Sequence, residues 1–145
     1  MMISTKGRYA LRLMLDIAMH NDEGLVPIKD IAARQDISMK YLEQIVNTLT
    51  RGGLLKSHRG ARGGYTLSRK PSEYSVGDIL RLTEGALAPV ACLEDCENEC
   101  ERAEDCITLA FWEGLYTLIG DYVDSITLED IIKGRVKKKR RKSVK

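Results

Sequence analysis

No run in this 145-residue chain approaches the roughly 18 to 20 uninterrupted apolar residues that a membrane-spanning helix needs, so a membrane protein is not expected. The opening residues, MMISTKGR, lack the long apolar core of a secretory leader, and the expected compartment is the cytosol. No nucleophile, base and acid fall into a catalytic pattern, so an enzyme is not expected either. Cysteine is scarce, with four residues, and all four lie between positions 92 and 106. In a reducing compartment such cysteines are metal ligands or redox groups in preference to structural disulfides. Hydrophobic residues make up 43% of the chain, enough to build a core at this length.

Charge of one sign is nearly or wholly missing from two stretches. Residues 91–131 hold a single base, Arg102, against 12 acids, and residues 132–145 hold nine Lys/Arg and no acid. Residues 1–75 carry 12 Lys/Arg against 7 Asp/Glu, a balance of +5. The basic front suits a polyanionic partner, whereas the acidic block would repel DNA and must face elsewhere. For the Lys137–Lys142 run two readings stand open, a disordered solvated tail and a non-specific phosphate contact.

Helical punctuation organises the front of the chain. Ser4 or Thr5 can cap a first helix with Ala10, Leu13, Met14, Ile17 and Ala18 at helical spacing. Asn21 to Gly24 end it, and Pro27 opens a short second helix with Ile28, Ile31 and Ala32 inside. Asp36 and Ile37 form a turn, and Ser38 caps a third helix that runs to about Arg51, where Gly52 and Gly53 stop it. In that third helix Leu42, Ile45, Val46 and Leu49 make one apolar stripe. The opposite face presents Lys40, Glu43, Gln44, Asn47, Thr48 and Arg51, with Ser38 and Tyr41 at its exposed start. A helix so held can enter a major groove.

Residues 54–58 and 65–68 read as two short strands around the glycine-rich tip 59–64. From Arg51 to Lys70 there are six bases and no acid. Glycines let a backbone approach a phosphate, and an arginine at the tip, Arg59, can enter a minor groove. Two helices, a turn and a basic hairpin give a winged arrangement. Glu43 is odd beside a polyanion. It is either an inert surface acid or an acceptor for a cytosine amino group, in which case it discriminates between sequences more than it anchors.

Pro71 breaks the chain after the wing. Ser75 with Asp78 caps a fourth helix containing Val76, Ile79, Leu80 and Leu82, and Gly85 and Pro89 bound a loop. A long helix is expected from about Ala103 to Asp124, with Ile107, Phe111, Leu115, Leu118, Ile119 and Tyr122 along one face as a dimer interface. Thr127 with Asp130 caps a last short helix, 128–132.

The cysteines Cys92, Cys96, Cys100 and Cys106 are spaced C-x3-C-x3-C-x5-C. Four thiolates meet the ligand demand of a [2Fe–2S] cluster, a [4Fe–4S] cluster or one zinc ion. Glu94, Asp95, Glu97, Glu99 and Glu101 do not favour thiolates, so a metal would have to supply that stabilisation. Unliganded reduced thiols and a thiol switch are the alternatives.

Taken together, residues 5–10, 37–45, 59–65 and 106–112 (TKGRYA, ISMKYLEQI, RGARGGY, CITLAFW) resemble the winged helix-turn-helix regulator family typified by the iron–sulfur cluster regulator IscR. The resemblance covers about residues 1–132. It implies a homodimer on palindromic promoter DNA, contacts from Ser38, Lys40, Tyr41, Glu43, Gln44 and Arg59, and a [2Fe–2S] cluster on the cysteine loop. Cys100 and Cys106 match two of the family's three cluster cysteines, and the third is Cys92 or Cys96. The family's nearby histidine is replaced by Leu109, and His20 and His58 lie in other elements, so an all-cysteine set is the simplest substitute. The expected fold is mainly α with a small β-hairpin wing and a long dimerisation helix. Residues 1–84 form the DNA-binding domain, 85–132 the cluster loop and dimerisation helix, and 133–145 a basic tail. The expected function is a cytoplasmic transcription repressor controlled by an iron–sulfur cluster and governing cluster-assembly genes. Two rivals stand beside it: a thiol- or partner-controlled regulator of cysteine metabolism, and a zinc-stabilised interaction module.

Overall fold

Short polar residues set the helix starts. In the computed structural model, which describes residues 2–95 and 97–138, Ser4 Oγ accepts the Gly7 amide at 3.3 Å and opens α1 (Thr5–His20). Pro27 precedes α2 (Ile28–Gln35), and Asp36 turns the chain in the left-handed region at φ 53°, ψ 52°. Ser38 Oγ then accepts the Tyr41 amide and starts α3 (Met39–Arg51). The expected stripe of α3, Leu42, Ile45, Val46 and Leu49, is fully inside. It meets Ala10, Leu13, Met14 and Ile17 of α1 and Ile31 of α2 in one core. Each such Leu or Ile contributes roughly 1.5–3 kcal/mol by leaving water.

Strands β1 (Leu55–His58) and β2 (Gly64–Leu67) pair antiparallel, from Leu55 opposite Leu67 to His58 opposite Gly64. A further backbone link binds this hairpin to the helices. Val26, just ahead of α2, donates to the Tyr65 carbonyl at 3.1 Å, and the Tyr65 amide donates back at 2.9 Å. Gly64 is needed here, because a Cβ at that position would lie 2.8 Å from the Val26 backbone. At the base of the wing the buried Tyr74 hydroxyl accepts the amides of Ser68 and Arg69 (2.8 and 2.9 Å) and donates to the Leu54 carbonyl (2.8 Å).

Inside the helical part, Asp16 is 2% exposed and is matched by charge. Arg34 Nη2 donates to its Oδ1 at 2.6 Å, Arg34 Nε reaches both oxygens, and Gln35 Nε2 donates at 2.8 Å. Burial alone would raise this carboxyl. The Arg34 and Gln35 hydrogen bonds, with the Arg34 charge, outweigh it and hold Asp16 below the ordinary carboxylate value. This cluster fastens α1 to the end of α2, just before the turn into α3.

Helix α4 (Val76–Glu84) opens with the expected Ser75–Asp78 capping box, and α6 (Leu128–Ile132) with that of Thr127 and Asp130. Between them α5 spans Leu109–Ser125. It starts six residues later than the sequence pattern suggests. Over 100–109 the backbone makes single turns instead, with amides of Ala103, Cys106 and Leu109 donating to carbonyls three residues back. A helix there would place Glu101 three and four residues from Glu104 and Asp105, stacking like charges on one face. Ile107, expected on the helix face, is 98% exposed outside it.

The faces of α5 also sort differently from expectation. Ile119 joins Tyr116 and Val123 on the inner side, against Val76, Leu80 and Leu87. Phe111 (65%) and Leu118 (67%) face outward, Tyr122 borders an apolar pocket with Leu11 and Val76, and no residue of the helix is buried. Arg81 of α4 ties α5 in place through a two-point ion pair to Asp124 at 2.6 and 2.8 Å. Among the described residues no helix is long and apolar enough to cross a membrane. The basic tail expected over 133–145 is described to Lys138, and the disorder expected for 139–145 lies outside the described residues.

Candidate nucleic-acid interface and cysteine loop

The outer face of α3 is polar and open. Lys40, Glu43, Gln44, Asn47 and Arg51 are exposed, and Thr48 is half-buried. At the start of the helix Ser38 uses an oxygen lone pair on the Tyr41 amide, which leaves its hydroxyl hydrogen able to donate to a phosphate. Tyr41 is half-buried and set in direction by its neighbours. Its ring meets the Tyr9 ring edge-on at 5.8 Å and 77°, and the Arg12 guanidinium sits 5.3 Å from the Tyr9 centroid.

The wing tip supplies the second surface. Arg59 and Arg62 are exposed, and Gly60 turns the backbone at φ +118°, a conformation that side chains rarely adopt. Lys29, Met39, Ser57, His58 and Arg59 line one groove between α2, the start of α3 and the wing, and no acid contributes to its walls. The expected contact residues Ser38, Lys40, Tyr41, Glu43 and Gln44 therefore fall at the N-cap and in the first two turns of one helix, and Arg59 lines the groove that Met39 of the same helix borders. Two groove residues escaped the sequence reading. Met39 is 46% exposed at the first position of α3. Lys29 stands in the first turn of α2, where the helix dipole disfavours a cation, and that placement was the available signal.

The cysteine loop differs in kind. Cys92 lies in a single helical turn, Ala91–Leu93, and is half-buried. Cys100 is exposed, and its amide donates to Asn98 Oδ1 at 3.0 Å. Cys106 is half-buried with its Sγ 3.5 Å from Thr108 Oγ1. Hydrogen bonding from the Thr108 side chain, then from its backbone, holds the Cys106 thiol below its ordinary value. All three are free thiols, and Cys96 lies outside the described residues. Among the described residues no three of His, Cys, Asp and Glu gather closely enough to hold a metal ion. The donor set nevertheless suits a soft metal or cluster, being thiols alone on one strongly exposed loop, one of them already shifted toward thiolate.

Comparison with known proteins places these features together. The family model of Rrf2, described as iron-dependent transcriptional regulator, matches residues 3–134. The chain is 36% identical over 135 residues to the HTH-type transcriptional regulator IscR of Pectobacterium atrosepticum, covering 93% of this chain and 81% of that protein. The structure of CymR (YrzC), the global cysteine regulator of B. subtilis, superposes with a TM-score of 0.76 at 38% identity, covering 92% of this chain and 98% of that one. That of T. potens IscR gives 0.74 at 40% identity, covering 94% and 89%.

Proposed function

Because the chain belongs to the Rrf2 family of transcriptional regulators, we propose that it reads palindromic promoter DNA as a homodimer, under the control of its cysteine loop. The observation that supports the DNA contacts is the acid-free groove lined by Lys29, Met39, Ser57, His58 and Arg59, which borders the start of α3, where Ser38, Lys40, Glu43 and Gln44 are exposed. Lys40, Ser38 and Arg59 hold phosphates, while Gln44 and Glu43 address base edges. A single helix of this kind reads few base pairs, so two copies paired through the outer face of α5 supply selectivity. Arg59→Ala is expected to weaken binding to all sequences with a shallower salt dependence, and Glu43→Ala to relax base preference. Titrations on promoter fragments check both, and promoter binding unaltered by either substitution overturns the groove assignment.

For control we propose an iron–sulfur cluster, most simply [2Fe–2S], held by Cys92, Cys96, Cys100 and Cys106 and acting on cluster-assembly genes. When bound it would supply an iron- and redox-dependent cross-link along the loop. The loop runs directly into α5, whose inner face packs on α4 and whose outer face meets the second copy. Ordering the loop therefore changes the spacing of the two recognition helices. The likeness to CymR supports a second reading, in which the same thiols respond without a cluster. Anaerobic purification with an absorption spectrum and iron and sulfide analysis separates the two. A coloured protein containing iron and sulfide supports the cluster, and a colourless, iron-free protein after anaerobic reconstitution supports the thiol reading.

A further inference from the structure

The junction between α2 and α3 is clasped from behind by side chains that do not line the groove. Gln35, the last residue of α2, donates through Nε2 to the buried Asp16 carboxylate at 2.8 Å. Its own amide oxygen accepts Arg12 Nε at 3.0 Å, and its backbone carbonyl accepts Arg12 Nη2. That carbonyl lies in the last turn of α2, where intrahelical partners run out, and a guanidinium there also meets the negative end of the helix dipole. Two acceptors on one residue thus fix the plane of the Arg12 guanidinium.

The guanidinium lies 5.3 Å from the centroid of Tyr9, one turn earlier on α1, and Tyr9 meets Tyr41 edge-on at the third position of α3. The series runs without a gap from a carboxylate in the core to the first turn of the helix proposed to read DNA. Among the described residues the Tyr41 hydroxyl has no protein partner, so it is available to donate to a phosphate. An unheld ring would sample up to three χ1 wells and would have to be ordered at the moment of binding. An edge-on partner removes that cost, and such a pair is worth roughly two- to tenfold in an equilibrium.

We infer that Tyr9 and Arg12 are positioning residues for DNA reading, holding the Tyr41 ring in one rotamer with its hydroxyl ready for a backbone phosphate. The inference rests on the DNA-binding reading above. The test is a double-mutant cycle on the full chain, with a promoter fragment that the parent chain selects from genomic DNA, titrated at several salt concentrations. Tyr41→Phe is expected to lose about tenfold in affinity, the size of one hydrogen bond to a charged group. Tyr9→Leu should lose about three- to tenfold with an unchanged salt slope, and Tyr9→Phe, which keeps the ring, should bind as the parent does. In the Tyr41→Phe background Tyr9→Leu should cost nothing further, because the group it positions is gone. Losses that multiply in the double variant overturn the inference, and so does unchanged binding by Tyr41→Phe or by Tyr9→Leu. A Tyr9→Phe loss equal to that of Tyr9→Leu also overturns it, by giving the Tyr9 hydroxyl a contact of its own. Arg12→Met should lose about two- to threefold, again only where Tyr41 keeps its hydroxyl. A salt slope shallower by about 0.9 in that variant makes Arg12 a phosphate contact and overturns its positioning role. Melting curves report folding, and if Tyr9→Leu does not fold, the cycle with Arg12→Met decides by the same outcomes. A folded parent chain that retains no genomic fragment refutes the DNA-binding reading itself.

Discussion

The two halves of this chain are held together by different means. Through residue 84, helices and wing share a buried core, a matched buried carboxylate in Asp16 and backbone bonds from Val26 to Tyr65. From Glu94 to Asp105 almost every described residue is exposed, and α5 buries no residue at all. The front half is basic and the loop strongly acidic. A reader of DNA must hold side chains in fixed register, and rigidity serves it. The sensing role proposed for the loop needs two states close in energy, and sparse contacts of this kind belong to the low-stability end of a fold.

Substitutions at four positions test that contrast, in falling order of effect. Asp16→Ala removes the buried carboxylate that joins Arg34 and Gln35 to α1 and should cost roughly 1.5–3 kcal/mol, measured by denaturant unfolding. The Asp16 carboxyl is depressed in the folded chain, so its contribution is complete above about pH 4 and is lost as pH falls through the lower folded value. Asp16→Asn should therefore flatten the acid limb of the stability curve, and an unaltered limb would show that this cluster does not set it. Tyr74→Phe takes the hydroxyl partner from the Arg69 amide and leaves the Ser68 amide and Leu54 carbonyl only their mutual 3.4 Å bond, costing about 1–3 kcal/mol in the same measurement. Arg81→Ala opens a half-exposed pair between α4 and α5 and should cost no more than about 1 kcal/mol. Cys106→Ser should leave the unfolding midpoint nearly unchanged while abolishing the absorbance of the proposed cluster. A loss of several kcal/mol there would mean that the loop is structural and the contrast false.

Much of the reader was legible because its signals are local. Ser38, the Ser75–Asp78 pair and the Thr127–Asp130 pair each mark a helix start within four residues, and the α3 stripe repeats at one period. The bonds that fix the halves of the reader to each other were not legible. Asp16 and Arg34 are 18 residues apart and Tyr74 and Leu54 are 20, with no spacing rule joining them. The start of α5 was misread because apolar periodicity through Ile107 outweighed the stacked acids beneath it, and Ile119 was misfiled because two faces of that helix are apolar. The polar face of α3 could be named residue by residue, whereas a gathering of cysteines depends on loop conformation that spacing does not encode.

The glycine at position 64 has a further consequence. With the Val26 backbone 2.8 Å from where a side chain would begin, the root of the wing tolerates no larger residue. A lineage that acquires new promoters cannot do so by altering how the wing is mounted. Its freedom lies at the tip, around Ala61 and Arg62, and along the outer face of α3, so the wing can evolve new preferences without losing its alignment to the helix that reads beside it.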